Sequence, residues 1–309
     1  RSSVTDGGPA VKAMILAAGL GTRLRPLTDV RPKPLVPLLN RPVLERTITY
    51  LKQQGITSIV VNAHHHAQRL VEYLQDGRAF GIPVEVRVEP RILGTGGGLR
   101  NISDFWGENT LLVINGDIVT TIDLAPAVRF HLQSGAAATL LVHDYPAFQQ
   151  ILVDEAGQVR DIASEPRPGR LAFTGIHIVE PGLRRWIPET GFSNIITCYR
   201  EMIAEGAHPA GYVTQGHSWR DIGAIESYLL ANQEASEGSV HVGENCAIDP
   251  SARLEGWCVI GAGSCVGPGA VIARSVLWQE VTVEKGVRVE DSVVTDGRTV
   301  RRDLLGGVV

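Results

Sequence analysis

The sequence predicts an α/β protein with a mostly parallel sheet, followed by a short parallel β-helix. Three observations predict it. Short apolar runs at residues 14–16 and 111–114, and the stretch 56–61, read as buried strands. Stretches with apolar residues at helical spacing lie between them. From Val242 onward an aliphatic residue recurs every six positions. A chain of 309 residues exceeds a typical single domain. The expected division is an α/β domain at 11–238 and a repeat domain at 239–309.

Composition narrows the function. Hydrophobic residues at 44% and charged residues at 20% suit a soluble globular chain. A formal charge of −4 argues against a nucleic-acid partner, because phosphate backbones are gripped by clustered Lys and Arg. No apolar run approaches the roughly 18 residues of a membrane span, so no membrane partner is expected. Residues 1–10 are polar, lack the apolar core of a signal peptide and read as a tail. Cys198, Cys246, Cys258 and Cys265 show no C-x-x-C spacing, so reduced thiols in a cytoplasmic protein are the expectation.

The first element carries the chemistry. Met14-Ile15-Leu16-Ala17-Ala18-Gly19-Leu20-Gly21-Thr22-Arg23-Leu24 is a strand running into a glycine-rich turn, where backbone N–H groups can approach phosphate oxygens. Arg23 and, after a proline-stiffened loop, Lys33 add two fixed cations. A Walker A loop is excluded because Arg23-Leu24 stands where Gly-Lys-Ser/Thr belongs. The dinucleotide fingerprint fails because position 24 is Leu. The pattern L-A-A-G-x-G-T-R-L-x-P-L-T, followed by P-K-P-L, resembles the sugar-1-phosphate nucleotidylyltransferases. The resemblance covers roughly residues 12–235. It implies a Rossmann-like nucleotidyltransferase domain in which Leu16, Ala18, Gly19, Gly21 and Thr22 bind nucleotide, and Arg23 and Lys33 are catalytic.

The remaining elements follow in order. Pro42, Val43, Leu44, Thr47, Ile48 and Leu51 form a helical stripe that Gly55 stops. After the strand at 56–61, His64-His65-His66 open the next helix. Adjacent helical residues diverge, so the three cannot chelate one ion. Residues 84–89 alternate as a half-exposed strand. The loop Leu93-Gly94-Thr95-Gly96-Gly97-Gly98 follows it and precedes a helix. Its glycines call for close backbone approach to something flat or anionic. In the family this loop faces the nucleobase, which implicates Gly94, Thr95, Gly96 and Gly97. Asp117, just past the strand at 111–114, lies where α/β sheets bind ligands. It resembles the family's first metal aspartate.

Residues 122–180 alternate a helix at 125–133 with several strands, including a hairpin at Asp154-Glu155-Ala156-Gly157. This resembles the family's sugar-covering insertion, with Glu165, Thr174 and Gly175 as pocket residues. Many relatives carry Glu-Lys-Pro here, whereas this chain has Ser164-Glu165-Pro166-Arg167, so Arg167 is the candidate for the anion contact. Trp219-Arg220-Asp221-Ile222-Gly223 resembles the family's W-x-D-x-G motif, with Asp221 the second metal aspartate.

In the repeat, Val242, Ile248, Leu254, Ile260, Val266 and Ile272 are the aliphatic positions. Cys246, Ala252, Cys258, Ser264, Ala270 and Val276 are the corner positions. The register breaks after Ile272 and resumes at Val283 and Val289. Eight repeats at about three per coil make roughly three coils. So short a solenoid needs a cap, and a homo-oligomer with contacts in 242–300 is expected. All the candidate catalytic residues precede it, so a chain ending near Gly238 is expected to keep its chemical apparatus.

The family resemblance implies transfer of a nucleoside monophosphate from an NTP to a sugar 1-phosphate, with Mg²⁺ on Asp117 and Asp221 and a left-handed hand for the β-helix. GTP and mannose 1-phosphate are the favoured pair. The alternatives are a uridylyltransferase for an amino-sugar or hexose 1-phosphate and a catalytically silent nucleotide-sugar-binding paralogue. Intact Arg23, Lys33, Asp117 and Asp221 count against the silent form.

Overall fold

A computed structural model describes residues 11–309, and the polar tail read at 1–10 lies outside the described residues. The chain forms two compact units that do not follow its linear order. A sheet unit takes the described residues up to Gly19 and Arg46–Trp219. A solenoid unit takes Leu20–Glu45 and Arg220–Val309.

The sheet unit is built on nine strands. Lys12–Leu16 pairs in parallel with Ile59–Ala63 on one side and Leu111–Asn115 on the other, and Ile59–Ala63 pairs in parallel with Val84–Val88. The edge strand Val84–Val88 alternates and is half-exposed, whereas the central strands at 13–16, 59–61 and 111–114 are continuous apolar runs because both faces are covered; Ala13, Met14, Ile15, Val60 and Val113 have no exposed surface. Their shared direction brings Leu16, Ala63 and Asn115 out on one edge. The second strand begins at Ile59 rather than 56, because the Ile56 and Thr57 amides are spent on the carbonyls of Leu51 and Val11.

Around the long strand Leu171–Val179 the sheet turns antiparallel. That strand pairs with Leu111–Asn115, Ala138–His143 and Gln149–Val153. The hairpin expected at 154–157 joins Gln149–Val153 to Val159–Ile162. Helix Leu124–Ser134 is capped by the Asp123 carboxylate, which accepts from the Ala125 amide, and ends at Gly135 in the left-handed region. A helix at Ile195–Ala204, capped by Asn194, has no counterpart in the sequence reading. It buries Ile195, Cys198, Tyr199 and Met202 in the same core as Leu99, Trp106 and Val113.

The glycines from Gly94 to Gly98 differ from their expected loop form. They lie inside a helix, Gly94–Asn101. Gly in a helix interior costs up to about 1 kcal/mol relative to Ala, so something else must need the missing side chains.

The solenoid unit contains the expected parallel β-helix. Ile248 pairs with Val266, Cys265 with Thr282, and Thr282 with Thr299. One coil therefore spans 18 residues (248 to 266) and the next 17 (265 to 282). That lost residue is the register break seen after Ile272. One face stacks four short strands, so the solenoid is longer than the three coils read from the sequence. Ile260, Val266, Ile272, Val283 and Val289 fill its core, with Cys258, Ser264 and Ala270 at no exposure. Burial pushes the Cys258 thiol up to about 11, which makes it an inert packing group. Cys198, Cys246 and Cys265 are free thiols as well.

Residues 20–45 belong to this unit because they are tied into it. The Tyr228 hydroxyl donates to the Pro37 carbonyl at 2.6 Å and accepts from the Trp278 indole at 3.0 Å. Asn40 donates to the Ile260 carbonyl at 2.9 Å. The Arg31 guanidinium holds Asp296 through two hydrogen bonds, 2.6 and 2.8 Å, and lies over the Trp278 ring. The expectation that a chain ending near Gly238 keeps its whole apparatus is therefore revised: the loop that carries Lys33 is anchored on the solenoid.

Candidate active site

In the sheet unit the edge at Leu16, Ala63 and Asn115 leads into Ala18 and Gly19 of the first motif. The Gly116 amide donates to the Leu16 carbonyl at 2.9 Å, and a Cβ on Gly116 would sit 2.8 Å from that oxygen. Only glycine allows this approach, and it sets Asp117 beside the start of the first motif. Leu16 and Asp117 are half-buried, Ala18 is buried, and Gly19 is exposed. A Cβ on Gly19 would meet nothing within 4 Å, so the turn faces open space, as a phosphate-binding turn requires.

The second glycine-rich stretch is different. A Cβ on Gly94 would lie 2.4 Å from the Ser193 carbonyl, and one on Gly97 would lie 2.7 Å from the Gly191 carbonyl. The Gly96 amide donates to the Ser193 carbonyl at 2.9 Å, and the Thr95 hydroxyl accepts from the Ile195 amide at 2.9 Å. These glycines admit the chain's own segment 191–193. A Cβ on Gly98 would lie 2.9 Å from Asn62 Nδ2 and 3.2 Å from Glu89 Oε1.

Thr174 and Gly175 form a bulge in strand Leu171–Val179, where the register slips between Phe173 and His177. Gly175 has φ +76°, and its Cβ would lie 2.8 Å from the Asn115 amide nitrogen. The bulge thus sits against the residue that precedes Gly116. The Thr174 hydroxyl donates to the Leu141 carbonyl at 2.8 Å, and its carbonyl accepts from the Trp219 indole at 2.8 Å. Glu165 and Arg167 are exposed on the loop after Val159–Ile162. Arg167 lines an open cleft of about 450 Å³ with Asp161, Ser164 and Arg200, and neither Asp117, Thr174 nor Gly175 lines it.

In the solenoid unit, Gly21 has φ +63°, and a Cβ there would meet Thr28 Cγ2 at 2.7 Å and Lys33 Cβ at 3.3 Å. The Thr28 hydroxyl donates to the Gly21 carbonyl at 2.9 Å. The unit therefore brings Gly21 and Lys33 together across one tight loop, with Thr22 and Arg23 exposed. The glycine of Trp219-Arg220-Asp221-Ile222-Gly223 has a steric reason too. Its Cβ would lie 2.8 and 2.9 Å from the two Asp221 carboxylate oxygens and 2.9 Å from Arg23 Nη2.

Among the described residues no group of three or more His, Cys, Asp or Glu is arranged to hold a metal ion. The His64-His65-His66 run makes none. Two polar residues passed over in the sequence are buried here, Asn62 at 2% and Glu89 at 1% exposure. The available signal was an Asn inside the run Ile59-Val60-Val61-Asn62-Ala63.

Among the described residues no helix is long and apolar enough to cross a membrane. Residues 12–238 match the family of nucleotidyl transferases, and residues 239–274 match the bacterial transferase hexapeptide, six repeats. The chain is 30% identical to a mannose-1-phosphate guanylyltransferase of Mycobacterium tuberculosis, over 91% of this chain and 83% of that one. It is 28% identical to a UTP–glucose-1-phosphate uridylyltransferase of Synechocystis, over 92% and 87%. A solved Bacillus anthracis chain, assigned as a glucose-1-phosphate thymidylyltransferase and bound to sucrose, superposes with a TM-score of 0.65 at 27% identity. It covers 73% of this chain and 95% of its own. An exposed glycine turn, an aspartate beside the strand that leads into it and a family match across both belong together: the chain is a member of the nucleotidyl transferase family with a hexapeptide-repeat β-helix at its C-terminal end.

Proposed function

We propose that the protein transfers a nucleoside monophosphate from an NTP to a sugar 1-phosphate and releases pyrophosphate. A phosphate oxygen of the sugar attacks the α-phosphorus, and the bond to the β-phosphate breaks. The substrate brings its own nucleophile, so positioning and charge neutralisation are what the protein must supply. The observation that supports the reading is the Gly116–Leu16 approach, between the residue before Asp117 and the strand end that leads to Gly19.

In this reading Leu16, Ala18, Gly19, Gly21 and Thr22 hold the triphosphate, and Gly94 to Gly97 flank the base. Arg23 neutralises the departing pyrophosphate, and Lys33 grips oxygens near the reacting centre. Asp117 and Asp221 would hold Mg²⁺, and the ion would supply charge neutralisation at the α-phosphate. Thr174 and Gly175 border the sugar, with Glu165 and Arg167 as its outer contacts. The free thiols suit a cytoplasmic site of action.

GTP with mannose 1-phosphate is the pair proposed first, because the guanylyltransferase relative shares 30% identity over 91% of the chain. UTP with a hexose or amino-sugar 1-phosphate is second, on the Synechocystis relative. A panel of NTPs against sugar 1-phosphates, read by pyrophosphate release, decides between them. Asp117→Asn and Asp221→Asn should each lower turnover on the order of 10²–10³-fold while circular dichroism stays native. Near wild-type turnover at saturating Mg²⁺ in either variant removes that residue from the mechanism.

A further inference from the structure

The sheet unit contains a buried polar chain that touches both glycine-rich stretches. The Ala17 amide, in the first motif, donates to Asn62 Oδ1 at 2.7 Å. Asn62 Nδ2 donates to Glu89 Oε1 at 2.8 Å. The other Glu89 oxygen, Oε2, accepts from the Leu93 amide at 3.1 Å, at the entry to helix Gly94–Asn101. The Glu89 amide donates to the Ala63 carbonyl at 2.7 Å, and its carbonyl meets His64 Nδ1 at 2.7 Å, so the residue is fixed by its backbone as well. Asn62 and Glu89 lie on neighbouring parallel strands or at their ends, and each is at least 98% buried.

The polarity of this chain admits one arrangement. Two main-chain donors, Ala17 N–H and Leu93 N–H, stand at its ends. Asn62 must present oxygen to Ala17 and its amide nitrogen to Glu89, so its orientation is set by its neighbours. Both Glu89 oxygens face donors, so the side chain accepts at each end. We infer that Asn62 and Glu89 are positioning residues that lock the turn at Ala17 to the helix entry at Leu93, and so preset the two glycine-rich stretches for one nucleotide. This rests on the proposed nucleotidyl transfer for its functional meaning, but the lock itself is a property of the ligand-free protein.

The same polarity supplies the test. In Glu89→Gln one of two donors must meet another donor. In Asn62→Asp two acceptors face each other. The double variant carrying both changes closes the chain again: the carboxylate introduced at position 62 would accept from Ala17 and from the new amide at position 89, whose oxygen accepts from Leu93. It also keeps the single negative charge.

Each single variant should weaken NTP binding, measured calorimetrically and as KM, by roughly ten- to hundredfold, the scale of a lost hydrogen bond to a charged group. The double variant should return to within a few fold of wild type, a rescue that a merely space-filling role would not give. Hydrogen exchange on the ligand-free protein reads the lock without any substrate. Glu89→Gln should raise exchange in 14–20 as well as in 91–99, and the double variant should restore both. Exchange raised only in 91–99, or a folded double variant no better than the worse single one, overturns the inference. If the single variants do not fold, recovery of the native circular dichroism in the double variant supports the lock, and its failure refutes it. A wild-type protein that binds no NTP would overturn the nucleotidyl-transfer reading, while the exchange result would still decide the lock.

Discussion

The two glycine-rich stretches look alike in sequence and do opposite things in space. At Gly19 a side chain would meet nothing within 4 Å, whereas at Gly94 it would strike the Ser193 carbonyl at 2.4 Å. The first stretch is open at Gly19 but tight at Gly21, where a Cβ would meet Thr28 Cγ2 at 2.7 Å, and its loop is braced by the solenoid through Arg31 and Asp296. In the second, the side on which Gly94, Gly96 and Gly97 would carry a Cβ is filled by the chain's own residues 191–193. A cluster of glycines therefore signals close approach without saying who approaches. The difference can be probed by removing each brace in turn and then by filling each glycine face.

The largest effect is expected from the solenoid. A chain ending near Gly238 loses Trp278, Gln279 and Asp296, the groups that hold Arg31, two residues before Lys33. Pyrophosphate release should fall by at least the 10²–10³-fold cost of misplacing one cation. Hydrogen exchange should rise in residues 20–45 and stay unchanged in 94–101. A truncated chain with wild-type turnover would show that the brace is dispensable. Light scattering on the same pair of proteins tests the proposed homo-oligomer. The first strand of the solenoid leaves Val240 and Val242 well exposed, as an assembly contact there requires.

Gly94→Ala comes next. It forces a side chain into the left-handed region, φ +72°, and to within 2.4 Å of the Ser193 carbonyl oxygen and 2.9 Å of the Phe192 ring. Strain and overpacking together should cost roughly 2–5 kcal/mol, measured as a drop in denaturation midpoint. An unchanged midpoint would mean that segment 191–193 swings away freely, and the second stretch would then count as open.

What was legible in the sequence follows from how local each signal is. The six-residue period needs only its own coil, so Ile260, Val266 and Ile272 were assigned inward correctly, and even the break after Ile272 corresponds to a real loss of one residue per coil. The strands ending at Leu16 and Asn115 were legible because their runs at 13–16 and 111–114 are apolar and covered on both faces. Helix Ile195–Ala204 was not read, and its lead-in 191–193 could not be placed against Gly94–Gly97, because that packing joins positions a hundred residues apart. Asn62 and Glu89 were hidden for the same reason. A single polar residue in a strand reads as an end until its distant partners are seen.

Acid offers a milder way to loosen the closed stretch. Helix Ile195–Ala204 is pinned by a buried hydrogen bond between the Tyr199 hydroxyl and His177 Nδ1. Burial holds His177 down at about 3, and burial with the neighbouring His217 holds His143 at about 4. Both lie below the free value of about 6.5, so the unfolded chain binds more protons than the folded one between those limits. This contribution to stability is whole above about pH 6.5 and declines as the pH falls toward about 4. Thermal midpoints should drop across that window, and the drop should be shallower in His177→Gln. An equally steep decline in that variant would exclude His177 as a source.

The smallest effect on stability belongs to Gly19→Ala, the counterpart of Gly94→Ala. The backbone at Gly19 is not in the positive-φ region, and its surroundings are empty, so a methyl group meets neither strain nor a clash. The denaturation midpoint should move by less than about 0.5 kcal/mol, as for an ordinary surface substitution. If the open face is where phosphate oxygens approach the backbone, that same methyl group occupies their space. KM for the NTP should rise several-fold with the fold untouched. A variant that loses stability would show Gly19 to be packed like Gly94. One that keeps both stability and KM would leave the open turn without a ligand, and the search for the triphosphate would then turn to Gly21 and Thr22.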